Sequence, residues 1–249
     1  MIAKSELQSI ISKYNLGGLV DAVKWEVKDK NITIKFQPPT GEMVGKVVHN
    51  NFDLEDCEIA IYNTSQLDKL LAITSGDLNL QLEKTHKLAV KLVIEDSSFT
   101  LNYSLSDLLL IQEPERVNYP KDYVVESNLE PDAISAIIKA KNAIQSDKDN
   151  VNFTITTNFD GEQVLTMVFG DDIAHTNKIE YIVPNTVIMG DQYNFNIPFN
   201  SEMIRVVLAN NKDANKSVMK LNINGLLQLS FKGDNWESVY YIVRKQQQY

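Results

Sequence analysis

Residues 56–73, DCEIAIYNTSQLDKLLAI, change their hydrophobic period halfway along. The first part, 57–61, is a short apolar run typical of a strand. In the second part Leu67, Leu70 and Leu71 recur at helical spacing, and Thr64 is predicted to cap the helix that they define. We therefore expect a strand that turns directly into a short helix.

A similar transition occurs in the second half of the chain. Residues 190–197, GDQYNFNI, lead into 201–210, where Met203, Val206 and Val207 form one apolar face. Asn200 is the predicted N-cap of this helix. Two further amphipathic helices are predicted at 4–14 and at 131–144, the latter beginning with Pro131.

Most of the remaining chain is predicted to form strands joined by tight turns. Strands are expected at 25–28 and 32–36 around Asp29-Lys30-Asn31, and at 151–157 and 164–169 around Asp160-Gly161. Residues 227–231 alternate apolar and polar side chains, as half-buried strands do.

The order of these elements indicates an internal repeat. Helix, strands, helix, strands fills residues 1–111, and the same order returns in 123–249. Residues 112–122 are polar, carry two prolines and are predicted to connect two domains. The expected fold class is α+β, with two similar domains, each of antiparallel sheet carrying two short helices on one face.

Composition narrows the class of protein. The chain has 249 residues and a mass of 28.2 kDa, with 43% hydrophobic and 23% charged residues, which excludes disorder and collagen-like repeats. Cys57 is the single cysteine, so no internal disulfide is expected. The N-terminus shows no signal peptide and no apolar run approaches the roughly 20 residues that span a bilayer. We therefore expect a cytoplasmic protein without a membrane partner.

The titratable residues do not form a catalytic pattern. His49, His86 and His175 are far apart and lack metal-ligand spacing. The acidic residues at 53–58 and at 171–172 flank predicted strands and lack the pattern of a calcium loop. The expectation is a non-enzymatic protein with no metal and no cofactor.

Charge is unevenly distributed between the helices and the rest of the chain. The net charge is −9, which argues against a protein that coats nucleic acid with its whole surface. The four helical segments and their ends nevertheless hold seven basic and five acidic residues, so they carry +2 and the remainder carries −11. The basic residues are Lys4, Lys13, Lys69, Lys139, Lys141, Arg205 and Lys212.

With its two repeated halves, each carrying two short helices, the chain resembles the DNA sliding clamps of the trimeric type. The likeness is greatest to the clamp of T-even-type bacteriophages, a DNA polymerase processivity factor. The likeness is carried by the order of elements and by residues 56–62 and 67–73, together with 190–197, 231–235 and 240–243.

The resemblance implies a homotrimeric ring that encircles double-stranded DNA without reading its sequence. The seven basic residues named above would then face the pore and contact phosphates. The strands near 99–105 and 179–183 would pair between subunits.

The partners that the resemblance implies are the replicative DNA polymerase and an ATP-driven clamp loader. Their peptides would enter a groove for which Val117, Tyr119 and Tyr241 are the candidate residues. A second interpretation stays open: a non-enzymatic, β-rich phage structural or protein-binding protein whose halves merely share this order of elements.

Overall fold

The computed structural model describes residues 1–116, 119, 122–144, 149–170, 177–190 and 195–246. The chain divides into two compact units. Unit 1 comprises Met1–Val117 with Asp234–Ser238, and unit 2 comprises Asn118–Gly233 with Val239–Tyr249.

Unit 1 contains two helices and eight complete strands among its described residues. Its elements in chain order are β1 (Ile2–Ala3), α1 (Lys4–Asn15), β2 (Val23–Lys28), β3 (Asn31–Phe36), β4 (Met43–Asn50), β5 (Cys57–Ile61), α2 (Thr64–Ala72), β6 (Asp77–Thr85), β7 (Leu88–Glu95) and β8 (Thr100–Ser104). A 3₁₀ turn, Leu108–Leu110, follows β8.

Two antiparallel ladders form the sheets of unit 1. One has the strand order β1-β6-β7-β8 and the other the order β4-β3-β2-β5. Helix α1 packs on α2 and on β4. Alternate residues of β2 and β3, including Trp25 and Ile34, are fully buried, and Trp25 meets Phe52 edge to face, so the two-residue period places the core on one side of this ladder.

Unit 2 repeats this plan. Its elements are β9 (Tyr123–Asn128), α3 (Pro131–Ala143), β10 (Asn150–Thr157), β11 (Gln163–Phe169), β12 (Ile179–Ile182), β13 (Thr186–Ile188), β14 (Asn196–Asn200), α4 (Ser201–Asn210), β15 (Lys216–Asn222), β16 (Leu226–Lys232) and β17 (Trp236–Val243), whose first three residues belong to unit 1.

The sheets of unit 2 match those of unit 1 strand by strand. The order β12-β11-β10-β14 corresponds to β4-β3-β2-β5, and β9-β15-β16-β17 corresponds to β1-β6-β7-β8. Helices α3 and α4 pack on each other, as α1 and α2 do. Strand β13, which pairs with β9, is an addition in unit 2. The prediction of two similar α+β domains is confirmed.

The predicted helices are found with small shifts at their ends. Helix α4 begins and ends where predicted, and its cap is Asn200, whose Oδ1 accepts a hydrogen bond from Met203 N at 3.1 Å. The predicted cap of α2 is wrong: Thr64 is already helical, and Asn63 Oδ1 accepts from Gln66 N at 2.8 Å. Thr64 Oγ1 instead donates to the carbonyl of Asp21 at 2.8 Å.

Removing the N-cap of α2 is expected to lower the stability of the folded chain. We expect Asn63→Ala to lower the free energy of unfolding by about 1 kcal/mol, because the Gln66 N–H loses its acceptor. Asn63→Asp keeps an oxygen in that place and is the control. Urea unfolding followed by circular dichroism measures both, and equal losses in the two variants would contradict the capping role.

Candidate nucleic-acid interface

The two helix pairs present polar surfaces of similar construction. Each helix turns its apolar side inward, as Leu7, Ile10 and Ile11 of α1 show, all at most 2% exposed. Serine, asparagine and lysine remain on the outer side. Amphipathic helices of this kind place their charge where a partner in solution can reach it.

The net charge of the helices agrees with the expectation from the sequence. Within their observed bounds they hold six basic and four acidic residues, again +2 of the chain's total of −9. Lys212 lies just beyond the end of α4, and Glu130 is the N-cap residue of α3.

Three of the seven basic residues are exposed and form no ion pair with a described residue. Lys69 on α2, Lys139 on α3 and Lys212 after α4 form no ion pair with any residue that the structure describes. Their ammonium groups are therefore open to an incoming phosphate, one or more on each helix pair.

Lys4 is occupied by the neighbouring helix. Its Nζ donates hydrogen bonds to the carbonyls of Ala72 at 3.0 Å and Thr74 at 2.5 Å, at the C-terminal end of α2. The Ala72 carbonyl belongs to the last turn of α2 and the Thr74 carbonyl follows two residues later, where the helix dipole favours a cation. Lys4 thus joins the start of α1 to the end of α2.

Two further cations of unit 2 are paired with carboxylates. Lys141 Nζ lies 2.6 Å from Asp149 Oδ1, and Arg205 forms a two-point ion pair with Glu202, in which Nε donates to Oε2 at 2.8 Å. The hydrogen bonds from Arg205 hold the pKa of Glu202 below its ordinary value. Because these charges are locally neutralised, they attract a phosphate less than free cations do.

Lys13 is placed unlike the other six. It is only 2% exposed, its Nζ donates to Ser9 Oγ at 2.6 Å, and it sits 4.0 Å from the centre of the Trp236 ring. A buried lysine of this kind is stabilised by the face of the aromatic ring. Within one chain Lys13 is withdrawn from solvent, which the helical period could not reveal because Trp236 lies at the other end of the sequence.

A buried histidine lies in the same region. His49 on β4 is 3% exposed, and its Nε2 lies 3.0 Å from Glu6 Oε1 on α1. Burial lowers the pKa of His49 below its ordinary value of 6.5, as does the charge of Lys13, and this outweighs the attraction of Glu6.

The lowered pKa makes stability depend on pH. Below about pH 6.5 the unfolded chain binds a proton at this position that the folded chain resists, so the free energy of unfolding falls as the pH falls. We expect unfolding in urea at pH 7.5, 6.5 and 5.5 to show this loss, at most about 1.4 kcal/mol per pH unit. His49→Gln should reduce the slope, whereas the exposed His86→Gln should keep it; unchanged slopes in both would contradict the assignment.

The predicted partner groove is only partly described. Val117 lies outside the described residues. Tyr119 and Tyr241, both in unit 2, stack with ring centroids 4.6 Å apart. Burial raises the pKa of Tyr241 above its ordinary value. The structure thus brings two of the three candidate residues together.

Six strands end a ladder among the described residues, namely β1, β5, β8, β12, β13 and β14, and two of them concern assembly. These two are β8, which pairs with β7, and β12, which pairs with β11. Leu105 N bonds Val90 O and Asp96 N bonds Phe99 O, both at 3.0 Å, so odd-numbered residues of β8 face β7 and Asn102 directs its N–H outward. Val183 N likewise bonds Leu165 O, which leaves the N–H groups of Glu180 and Ile182 directed outward. These are the two strands for which the resemblance to sliding clamps implies pairing between subunits.

The cysteine and the other candidate metal ligands can be placed where the structure describes them. Burial raises the pKa of the Cys57 thiol to about 11, which keeps it protonated and unreactive at neutral pH. In the described ranges no three His, Cys, Asp or Glu side chains gather as a metal site requires. His175 and the pair Asp171-Asp172 lie outside the described residues. None of the described helices is long and apolar enough to cross a membrane.

Comparison with known proteins identifies the fold. No protein-family model and no curated protein matches the sequence. Among solved structures, the chain is similar to the proliferating cellular nuclear antigen (PCNA) of Entamoeba histolytica, with a TM-score of 0.73, 15% identity, and coverage of 98% of this chain and 96% of that one.

Two archaeal structures are similar to the same degree. A PCNA2–PCNA3 complex of Sulfolobus tokodaii matches with a TM-score of 0.72 and 12% identity over 98% of both chains. PCNA of Thermococcus kodakaraensis matches with a TM-score of 0.72 and 16% identity over 97% of both chains. The chain therefore has the PCNA-type clamp fold, and the predicted fold class is confirmed over essentially its whole length.

Proposed function

We propose that this protein is a sliding clamp that encircles duplex DNA and tethers a DNA polymerase, without catalytic activity of its own. The observation that carries the proposal is the full-length match to the clamp fold, from β1 to β17. The alternative of a phage structural protein draws no support from any feature of the described residues.

Ring closure would use two of the free edges, those of β8 and β12. If β8 of one chain pairs with β12 of the next, each chain offers two different edges, and repeated pairing of this kind closes a ring when the rotation fits. A homotrimer is the proposed closed form. Pairing would also cover edges that otherwise invite aggregation.

DNA would be held by the helix layer, by which we mean the outward surfaces of the helix pairs α1–α2 and α3–α4. Lys69, Lys139 and Lys212 supply the exposed cations, while Lys4, Lys141 and Arg205 stand beside them with their charges engaged within the chain. Lysines that contact phosphates carry no sequence information, so the ring can slide. The rest of the chain, outside the helical segments, carries a net charge of −11, which would repel DNA from the outer surface.

The finer parts of the proposal concern partners. We assign a replicative DNA polymerase and a clamp loader as the proteins that bind this clamp, with Val117, Tyr119 and Tyr241 at the binding groove. The T-even bacteriophage type, with a host-cytoplasmic location, is the proposed subclass.

Mass and processivity test the proposal together. Light scattering of the purified chain at micromolar concentration should give three times 28.2 kDa. Primer extension with the polymerase and loader of the same replication system should yield longer products when the chain is added. A monomer at every concentration, with and without DNA and loader, would overturn the ring.

A further inference from the structure

A cavity of 1010 Å³ opens at one end of the helix pair of unit 2. It lies where α3 begins, next to the loop between α4 and β15 and to the residues before β13. Its polar lining includes Asn128, Glu130, Asn185, Lys212, Lys216 and Ser217. The clamp proposal assigns a role to Lys212 alone among these residues.

Ser217 contributes a hydroxyl to the lining of the cavity. It occupies a core-facing position of β15 and is 6% exposed. Its backbone carbonyl accepts from Leu129 N at 2.9 Å, but none of the described residues hydrogen-bonds its hydroxyl. The hydroxyl oxygen is reached from the cavity, so a ligand there would replace solvent as its hydrogen-bond partner.

The charge of the lining favours an anion. Lys212 and Lys216 are exposed at the cavity and pair with no carboxylate that the structure describes. Glu130 opposes them with a single negative charge. The N-terminal end of α3, which no side chain caps, adds its positive dipole end on the same side.

The lining is also partly apolar. Pro131 and Ile134 of α3 border the cavity beside the polar groups. An anion that carries a sugar or a base would contact these side chains, whereas a small free ion would leave them unused.

We propose that this cavity binds the phosphate group of a nucleotide or a nucleic acid. Lys212 and Lys216 donate to the phosphate oxygens, the Ser217 hydroxyl donates from the floor, and Pro131 with Ile134 contacts the attached sugar. Two sources carry this chemistry, a DNA backbone and a free nucleotide. The site lies wholly within unit 2 and requires neither a ring nor a pore, so it goes beyond the clamp proposal.

Calorimetric titration of the full-length chain tests the site, with AMP as the probe and Lys216→Gln and Ser217→Ala as the variants. Lys28→Gln is the matched control, since Lys28 is an exposed lysine of unit 1 and does not line the cavity. We expect saturable binding to the wild type, a loss of about tenfold in each cavity variant, and a change under twofold in the control.

Competition then distinguishes the two sources. A short DNA duplex that displaces AMP identifies the DNA backbone as a ligand, and AMP binding that persists in excess duplex identifies a free nucleotide. Absence of saturable AMP binding, or an equal loss in Lys28→Gln, overturns the site. These measurements do not involve trimer formation, so a failure of the clamp proposal would leave their result intact.

Discussion

Asn102→Pro should convert the assembled protein to monomers while leaving each chain folded. The Asn102 N–H points away from β7, so its removal breaks no hydrogen bond within the chain. Proline cannot donate the hydrogen bond that the Asn102 N–H would give to a strand added at this edge, and its ring obstructs that strand. Each proposed interface loses a backbone hydrogen bond worth about 1 kcal/mol and suffers steric conflict as well.

The loss in the free energy of assembly is counted three times, because a trimeric ring contains the interface three times. A total loss of about 3 kcal/mol or more corresponds to a factor above roughly 100 in the assembly constant. Sedimentation or light scattering at micromolar concentration measures this change. Asn102→Ala retains the N–H and should remain assembled. Thermal unfolding of the proline variant should resemble that of the wild-type monomer; an intact trimer in Asn102→Pro would show that β8 is not the interface.

The second large effect is expected on DNA binding. Replacing Lys69 and Lys139 by glutamine removes two exposed cations from each chain and, in the proposed trimer, six from the helix layer. Each phosphate contact contributes about 0.9 to the slope of log affinity against log salt for duplex DNA, so the slope should fall by at most about 5. At low salt we expect the affinity for a short duplex to drop by well over tenfold.

Fluorescence anisotropy with a labelled duplex over a salt series measures both quantities. Lys28→Gln with Lys87→Gln is the matched control, because it removes the same charge from exposed positions at hairpin ends. Arg205→Gln should have a smaller effect than either lysine change, since Glu202 already engages that guanidinium. Equal losses in the test and control pairs would mean that overall charge, and not the helix layer, governs binding.

The difference between Lys69 and Lys13 shows how far the sequence reaches. Both lie in amphipathic helices, and the resemblance to sliding clamps implies that both contact DNA. Lys69 is exposed, whereas Lys13 lies 4.0 Å from the ring of Trp236. The helical period assigns a side chain to a face of its own helix, but it contains nothing about a tryptophan more than 200 residues away.

The cap of α2 gives a smaller example of the same limit. Asn63 and Thr64 are both suitable N-cap residues, and local propensity does not separate them. The structure does, because the Thr64 hydroxyl is drawn to the Asp21 carbonyl and Asn63 is left to accept from Gln66. At α4, where Asn200 is followed by Ser201, the prediction of Asn200 as the cap is confirmed.

The sequence by itself determined the four helices, several of the strands and the internal repeat, because hydrophobic period and turn residues act on the backbone nearby. It also determined that the helices carry positive charge in an acidic chain. Only the tertiary structure decided which cations remain exposed and which strands end their ladders. Those properties depend on contacts between distant segments, such as Lys4 with the end of α2 and Lys141 with Asp149.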